Sequence, residues 1–374
     1  MKKYIALILC ILITAALLTS CGGIEGGFSV NVDNLSYYEK FKDQDISINV
    51  YNWGEYISDT NEPGLFDVNR QFEGLTGIKV NYTTYATNEE LYAKMKGGGA
   101  DYDIIIPSDY MIARMIDEGM VSELNFDNIP NFSYIMESFK NPVYDANNAY
   151  SVPYLWGTVG IIYNKNLVNE TEIDWDILWN EKYADQILMF DNPRDSFAIA
   201  ETLLGYSMNT EDPKELETAC EKLKEQKPLV QAYVMDEIFD KMGAEEAALA
   251  PYYAGDAVTL MADYEHLGFA VPKSGTNRFV DAICIPKTSQ HKEAAEMYIN
   301  FLLEPEIALA NSVYVGYSTP HTKAFEMLDD EIKNDGISYP DDEFLNLKTT
   351  VFNKLSDKAN KIMQDLWTDM KSSQ

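Results

Sequence analysis

Histidine is almost missing from this chain. Among 374 residues there are three, His266, His291 and His321, far apart and without a partner at metal-ligand spacing, so no zinc pattern exists. Each reads as a surface or loop residue. Catalytic signatures are missing as well: Gly97-Gly98-Gly99 has no Gly-Lys-Ser/Thr continuation of a phosphate loop, and no Gly-x-Ser-x-Gly nucleophile elbow occurs. Basic residues are scarce. Lys and Arg number 29 against 60 Asp and Glu, a formal net charge of -31, which repels nucleic acid and anionic lipid and draws cations. Solubility alone would also account for that charge. With 60 acidic residues, an acid/base pair picked by eye carries no weight. Internal repeats and low-complexity tracts are absent too.

Long apolar runs are absent, with one exception at the start. Lys2 and Lys3 precede an apolar stretch from Ile5 to Leu18, followed by Leu18-Thr19-Ser20-Cys21-Gly22. The stretch is shorter than the roughly 18 to 20 residues of a membrane span. It reads as a secretory signal, residues 1–20, whose end resembles the bacterial lipoprotein cleavage box with Cys21 as the lipidated residue. Residues 21–44 are polar and without a sustained period, and read as a flexible tether. Of the four cysteines, Cys10 leaves with the signal. Cys220 falls in a helical pattern and Cys284 in an apolar strand, and both are expected as free thiols, although an oxidising compartment permits a disulfide.

The whole chain is 46% hydrophobic and long enough for two domains. Ile46, Ile48 and Val50 alternate as a strand and lead into an aromatic turn carrying Trp53 and Tyr56. A helix through Phe72 and Leu75 stops at Gly77, and Ile78, Val80 and Tyr82 form a second strand. Asn88 is expected to cap a helix from Glu89 to Lys96. The run Tyr102-Asp103-Ile104-Ile105-Ile106-Pro107 has the pattern of a strand buried on both faces, and ends in Ser108-Asp109-Tyr110. Ser108 reads equally as a helix N-cap or as a polar group at a strand end. This βαβαβ rhythm predicts a doubly wound lobe. Further strands are expected at 154–163, 187–190, 247–253, 269–271 and 278–285. Helices are expected at 195–204, at 213–224 with Asp212 as cap, at 290–303 and at about 353–370.

Aromatics and carboxylates gather at these strand and helix starts: Trp53, Tyr56, Tyr110, Asp195, Tyr252, Tyr253, Asp256, Phe279, Asp281 and Tyr317. The combination suits an organic cation, whose ammonium needs charge-assisted hydrogen bonds and whose methylenes pack on ring faces. Each residue also has an ordinary reading. Asp195 can merely stabilise a helix N-terminus, Phe279 can be core, and Tyr252 and Tyr253 can be strand packing.

Five segments in order carry a family resemblance: Tyr51-Asn52-Trp53-Gly54-Glu55-Tyr56, Tyr102 to Ser108, Tyr150-Ser151-Val152-Pro153-Tyr154-Leu155-Trp156-Gly157, Ile299-Asn300-Phe301-Leu302-Leu303 and Gly316-Tyr317-Ser318-Thr319-Pro320. Over about residues 45–340 the chain resembles the spermidine/putrescine-binding receptors of bacterial polyamine ABC importers. The resemblance implies an α/β periplasmic-binding-protein fold of type II, two α/β lobes with a hinge and a ligand cleft between them. The first lobe would comprise 45–157 plus 276–326 and the second 158–275 plus 327–374. It implies a polyamine ligand held by hinge closure and presented directly to a membrane permease with its ATPase subunits. It further implies no cofactor, no metal, no catalysis and no nucleic acid, and a place outside the cytoplasm, anchored by lipid to the bacterial cell membrane.

Carried over position by position, Trp53 and Tyr56 match an aromatic wall, and Ser108 and Tyr110 the second strand end. Asp281 matches a carboxylate that grips an amine, with Phe279 two residues before it. Asp195 matches a carboxylate for a terminal ammonium, and Tyr317 a further ring. The chain departs from the spermidine receptor at Asn192, where a second acid is expected, and at Tyr253-Ala254-Gly255-Asp256. Asp256 and Phe279 follow the putrescine-receptor pattern instead. A family glutamine near the C-terminal helices has no counterpart near Thr350. Two other readings stand beside this one: a ferric-ion or other small-solute receptor using Tyr252 and Tyr253, and a secreted carboxylate hydrolase.

Overall fold

The structure is a computed structural model that describes residues 29–32, 34–62, 65–98 and 101–372. The expected signal segment and Cys21 lie outside the described residues. By internal contacts the chain divides into two compact units. Unit 1 runs to Ser108 and includes Arg114–Leu155 and Asp281–Asp329; unit 2 comprises Asp109–Ala113, Trp156–Val280 and the residues from Asp330 onward.

Unit 1 opens with β1 (Ser47–Trp53). Ile48 and Val50 are fully buried between half-exposed Ser47 and Asn49, and at the carboxyl end Tyr51 and Asn52 are both buried. Asp67 caps α1 (Val68–Thr76) by accepting the Arg70 N–H, and Val68, Phe72 and Leu75 form its buried stripe. Gly77 ends the helix at φ 76°, where a Cβ would lie 2.9 Å from the Lys42 carbonyl oxygen. β2 (Lys79–Tyr85) then runs parallel to β1. The next helix, α2 (Asn88–Lys96), corrects an expectation. Thr87 caps it, accepting the Glu90 N–H at 3.1 Å, and Asn88 is the first helical residue, buried. β3 (Ile104–Ile105) is fully buried and parallel to β1, and α3 (Asp109–Asp117) follows it.

β4 (Ser151–Asn164) is buried along nearly its whole length and carries the chain into unit 2. There follow β5 (Ile187–Phe190), α4 (Pro193–Leu203) and α5 (Pro213–Gln226), the last capped by Asp212 with Pro213 at its first position, as its sequence implies. β6 (Val230–Val234), β7 (Leu249–Tyr253), α6 (Ala254–Asp263) and β8 (Leu267–Ala270) complete this stretch. β7 and β8 pair antiparallel with β4, and β5 pairs parallel with β6 and β7. β6 was not among the expected strands; its residues are mostly half-buried and show no clean alternation.

β9 (Thr276–Cys284) returns the chain to unit 1, where Cys284 pairs with Ile105 and Asp281 with Ser108 in antiparallel sense. α7 (Lys292–Leu302) and α8 (Pro305–Val315) follow in that unit. α7 starts two residues later than expected, with His291 at its cap position. The tail belongs to unit 2: β10 (Thr349–Thr350) pairs with Thr276 and Asn277, and α9 (Asp357–Ser372) rests on α5. Lys227 Nζ donates to the Met370 and Lys371 carbonyls at 2.8 and 3.0 Å, satisfying the end of α9. α9 begins at Asp357, four residues past the expected start.

Two other expectations change. The stretch expected as a tether is packed from Val30 onward: Val30, Tyr38 and Phe41 are buried, and the Tyr38 hydroxyl donates to Glu304 at 2.6 Å. Its few apolar residues find unit 1 without needing a period. His321 is buried rather than peripheral. Its Nδ1 accepts the Ala324 N–H at 3.0 Å, so Nε2 carries the proton toward the Leu303 carbonyl, and burial pushes its pKa down to about 4. Cys220 and Cys284 are free, buried thiols. Among the described residues no helix is long and apolar enough to cross a membrane.

Candidate functional site

In unit 1, Asp281 is the centre of the arrangement. β9 carries it 4% exposed beside the ends of β1 and β3. The Tyr56 hydroxyl donates to Oδ2 at 2.7 Å and the Ser108 hydroxyl to Oδ1 at 2.6 Å. Burial nevertheless raises its pKa to about 6, and those two donors oppose the rise. A buried carboxylate with two hydroxyl donors and a raised pKa is a strong partner for a cation that replaces the missing water.

The rings around it are ordered from behind. Tyr56 meets Tyr317 edge to face at 5.0 Å and Tyr154 at 5.8 Å, and the Tyr154 hydroxyl donates to the Tyr56 carbonyl at 3.0 Å. The turn itself is pinned by Asn52, whose amide donates to that same carbonyl at 3.3 Å and to the Tyr82 hydroxyl at 2.8 Å. Trp53 leans on Tyr85 at 4.7 Å. The structure thus brings Trp53, Tyr56, Ser108, Asp281 and Tyr317 together in unit 1. Ser108 occupies the N-cap position of α3 but makes no side-chain cap bond; its hydroxyl serves Asp281.

Unit 2 builds a second carboxylate in a similar way. Asn192 caps α4, accepting the Arg194 and Asp195 N–H groups, and its amide nitrogen donates to Asp195 Oδ2 at 2.7 Å. The Tyr253 hydroxyl donates to the same oxygen at 2.9 Å. Burial, then the Asp195 charge, holds the Tyr253 phenol well above its ordinary pKa, so it stays a donor at neutral pH. Phe279 stands edge-on to Tyr253 at 5.3 Å, and Phe190 lies 5.1 Å from it. Asn192, Asp195, Tyr253 and Phe279 are therefore one cluster.

Tyr110 and Asp256 also belong to unit 2, and the Tyr110 phenol is near enough to Tyr253 to help raise its pKa. Tyr110 packs on Phe352 at 5.9 Å, with the Arg194 guanidinium 5.8 Å from its ring and 4.5 Å from that of Phe352. Asp256, half-buried in the first turn of α6, acts on Tyr252, whose phenol is pushed up by burial and then by this carboxylate. Among the described residues no group of three or more His, Cys, Asp and Glu is placed to hold a metal ion.

Sequence reasoning missed Asn88, Tyr85, Tyr154, Arg194 and Phe352. Tyr85 ends a strand, the signal that had singled out Trp53. Asn88 was hidden by its good fit as a helix cap. Arg194 and Phe352 carried no signal, because their meeting joins α4 to a tail segment about 160 positions away.

The family model for the bacterial extracellular solute-binding protein matches residues 101–348. The spermidine/putrescine-binding periplasmic protein of Salmonella typhimurium is 38% identical over 294 residues, 78% of this chain and 82% of its own length. Its namesake in Escherichia coli K12 is 37% identical over 304 residues, 80% and 85%. The crystal structure of the spermidine/putrescine ABC transporter substrate-binding protein from Streptococcus pneumoniae is similar with a TM-score of 0.72 and 38% identity, covering 87% of this chain and 98% of that one.

Proposed function

Because this chain belongs to the bacterial extracellular solute-binding protein family, we propose that it is a polyamine receptor that takes up putrescine or spermidine outside the cytoplasm and delivers it to an ABC importer. The observation that carries this reading is the pair of buried carboxylates, Asp281 and Asp195, each held by a tyrosine hydroxyl and set among rings. A diamine carries an ammonium at each end and methylenes between. Each ammonium needs a carboxylate, worth about 1.5–3 kcal/mol as a charge-assisted bond, and the methylenes need apolar cover. Within unit 1, Asp281 offers an ammonium partner with Trp53, Tyr56 and Tyr317 as ring cover, and within unit 2, Asp195 offers another with Tyr253 and Phe279. Ser108 and Asn192 act here through the carboxylates they donate to. Tyr110 and Asp256 are assigned to the site on the family pattern.

The relatives are solute-binding proteins, and we read this chain as a receptor without catalytic activity. Direct contact with the permease and a lipid anchor at Cys21 complete the proposal. The iron reading is less well supported: Tyr253 donates to Asp195, Tyr252 stacks on Phe190 at 5.4 Å, and burial holds both phenols protonated.

Isothermal calorimetry of the purified protein with putrescine and spermidine tests the proposal. Binding at micromolar levels or tighter is expected for at least one. Absence of heat with both refutes it. Asp281→Asn should then weaken binding by at least about 1.5 kcal/mol, and unchanged affinity removes Asp281 from the site.

A further inference from the structure

We propose that Asn88 is a positioning residue for the unit 1 carboxylate: its side-chain amide fixes the direction of the Ser108 hydroxyl proton so that it points at Asp281. The backbone decides which way the amide lies. The Ser108 N–H can only donate, so the atom 3.1 Å from it is Asn88 Oδ1. The nitrogen end then faces Ser108 Oγ at 3.0 Å and donates to it. A serine hydroxyl has one proton. With Oγ accepting from Asn88, that proton goes to Asp281 Oδ1, 2.6 Å away, a short bond that strengthens when the carboxylate is ionised.

Water does not compete, since Asn88 is 3% and Ser108 8% exposed. Nor is Asn88 needed to start α2, because Thr87 caps that helix. Among the described residues, the polar groups that face Asp281 are Ser108 beyond β3, Tyr56 beyond β1 and Tyr85 at the end of β2. The Tyr85 hydroxyl donates to the Ile106 carbonyl at 2.7 Å, so its proton is engaged elsewhere. Asp281 therefore draws on Tyr56 and Ser108, and Asn88 governs one of the two.

The affinity part of the test rests on the receptor reading; the titration part does not. The Asp281 carboxyl is titrated by carbon NMR in protein labelled at aspartate, assigned through Asp281→Asn, for the wild type, Asn88→Ala and Asn88→Asp. Putrescine affinity is measured by calorimetry for the same proteins, for Ser108→Ala and for the Asn88→Ala/Ser108→Ala double variant. Both Asn88 variants should move the Asp281 midpoint upward by about half a unit or more. Asn88→Ala should weaken putrescine roughly threefold to tenfold at pH 7, but by less than about twofold in the Ser108→Ala background, because it acts through Ser108. Asn88→Asp keeps an acceptor for the Ser108 N–H and serves where Asn88→Ala does not fold, with Asn88→Asp/Ser108→Ala measured beside it to subtract the direct effect of the added charge. An unmoved midpoint, or a full Asn88→Ala effect without the Ser108 hydroxyl, overturns the proposal. If wild-type protein takes neither putrescine nor spermidine, the receptor reading falls and the midpoint still decides the role of Asn88; if it takes spermidine alone, spermidine replaces putrescine in the affinity measurements.

Discussion

Mild acid should loosen the ligand through Asp281. Burial raises this carboxyl to about 6, and an ammonium pairs with it only when it is ionised. Alkylammonium groups, like that of lysine with its pKa of about 10.4, stay charged far above this range, so only the protein side titrates. For one such group the apparent dissociation constant scales as one plus the ratio of protonated to ionised carboxyl. That factor is about 1.1 at pH 7 and about 11 at pH 5, a roughly tenfold loss of affinity. Unfolding does not mimic it. A carboxyl whose folded pKa lies above its unfolded value contributes stability that is full below the unfolded pKa and lost as pH rises through the folded one. Acid between pH 7 and 5 therefore favours the fold as far as Asp281 is concerned. Calorimetry with putrescine at pH 5, 6, 7 and 8 measures the effect, and Asp281→Asn should bind weakly with a flat profile. Glu201 also titrates here, pushed up to about 7 by burial, so Glu201→Gln is the control that should leave the profile in place. Equal affinity at pH 5 and pH 7, or an unchanged profile in Asp281→Asn, would refute the reasoning.

Two further outcomes follow from unit 2. Tyr253→Phe removes the hydroxyl that donates to Asp195 while keeping the ring against Phe279, so putrescine affinity should drop by about 1–2 kcal/mol with little change in melting temperature; an unaltered affinity by calorimetry would take Tyr253 out of the site. Glu201 is 1% exposed with neither carboxyl oxygen hydrogen-bonded among the described residues, and its raised pKa means stability falls as pH rises through about 7. Glu201→Gln should therefore gain on the wild type between pH 5.5 and pH 8.5, by about 2 kcal/mol in urea unfolding, and a gain that does not depend on pH would contradict the assignment.

The two carboxylates were legible in the sequence only in company. With 60 acidic residues, none could be chosen by chemistry alone. Asp195 and Asp281 stood out because each lies near a strand or helix end with aromatics close by, which is where periodicity does carry information. β1, β5, β7 and β9 were readable for the same reason: alternation or an unbroken apolar run marks a strand whether or not its partners are known. β6 was not readable, because a half-buried strand shows neither pattern. Short caps failed differently. Thr87 and Asn88 are adjacent and both good cap residues, and only the position of Ser108, twenty residues on, decides that threonine caps and asparagine turns inward.

Ser108 shows why such choices escape sequence reasoning. A serine between an apolar run and a helix fits an N-cap, and the backbone there is indeed extended, at φ -78° and ψ 160°. Capping needs the hydroxyl as an acceptor for an N–H two or three residues ahead. Serving Asp281 needs it as a donor, and the Asn88 amide on its other side forces that role. The residue type, its neighbours and its backbone are the same in either case. What separates them is a pair of contacts across 20 and 173 positions, and no local pattern encodes those. Asn192 divides its amide between both tasks: the oxygen caps α4 while the nitrogen donates to Asp195. An acid at this position could still cap, but it would set a second charge against Asp195 where the amide supplies a donor. Asn192→Asp should therefore raise the Asp195 pKa, and carboxyl NMR showing no change would mean that the amide donor contributes nothing to that carboxylate.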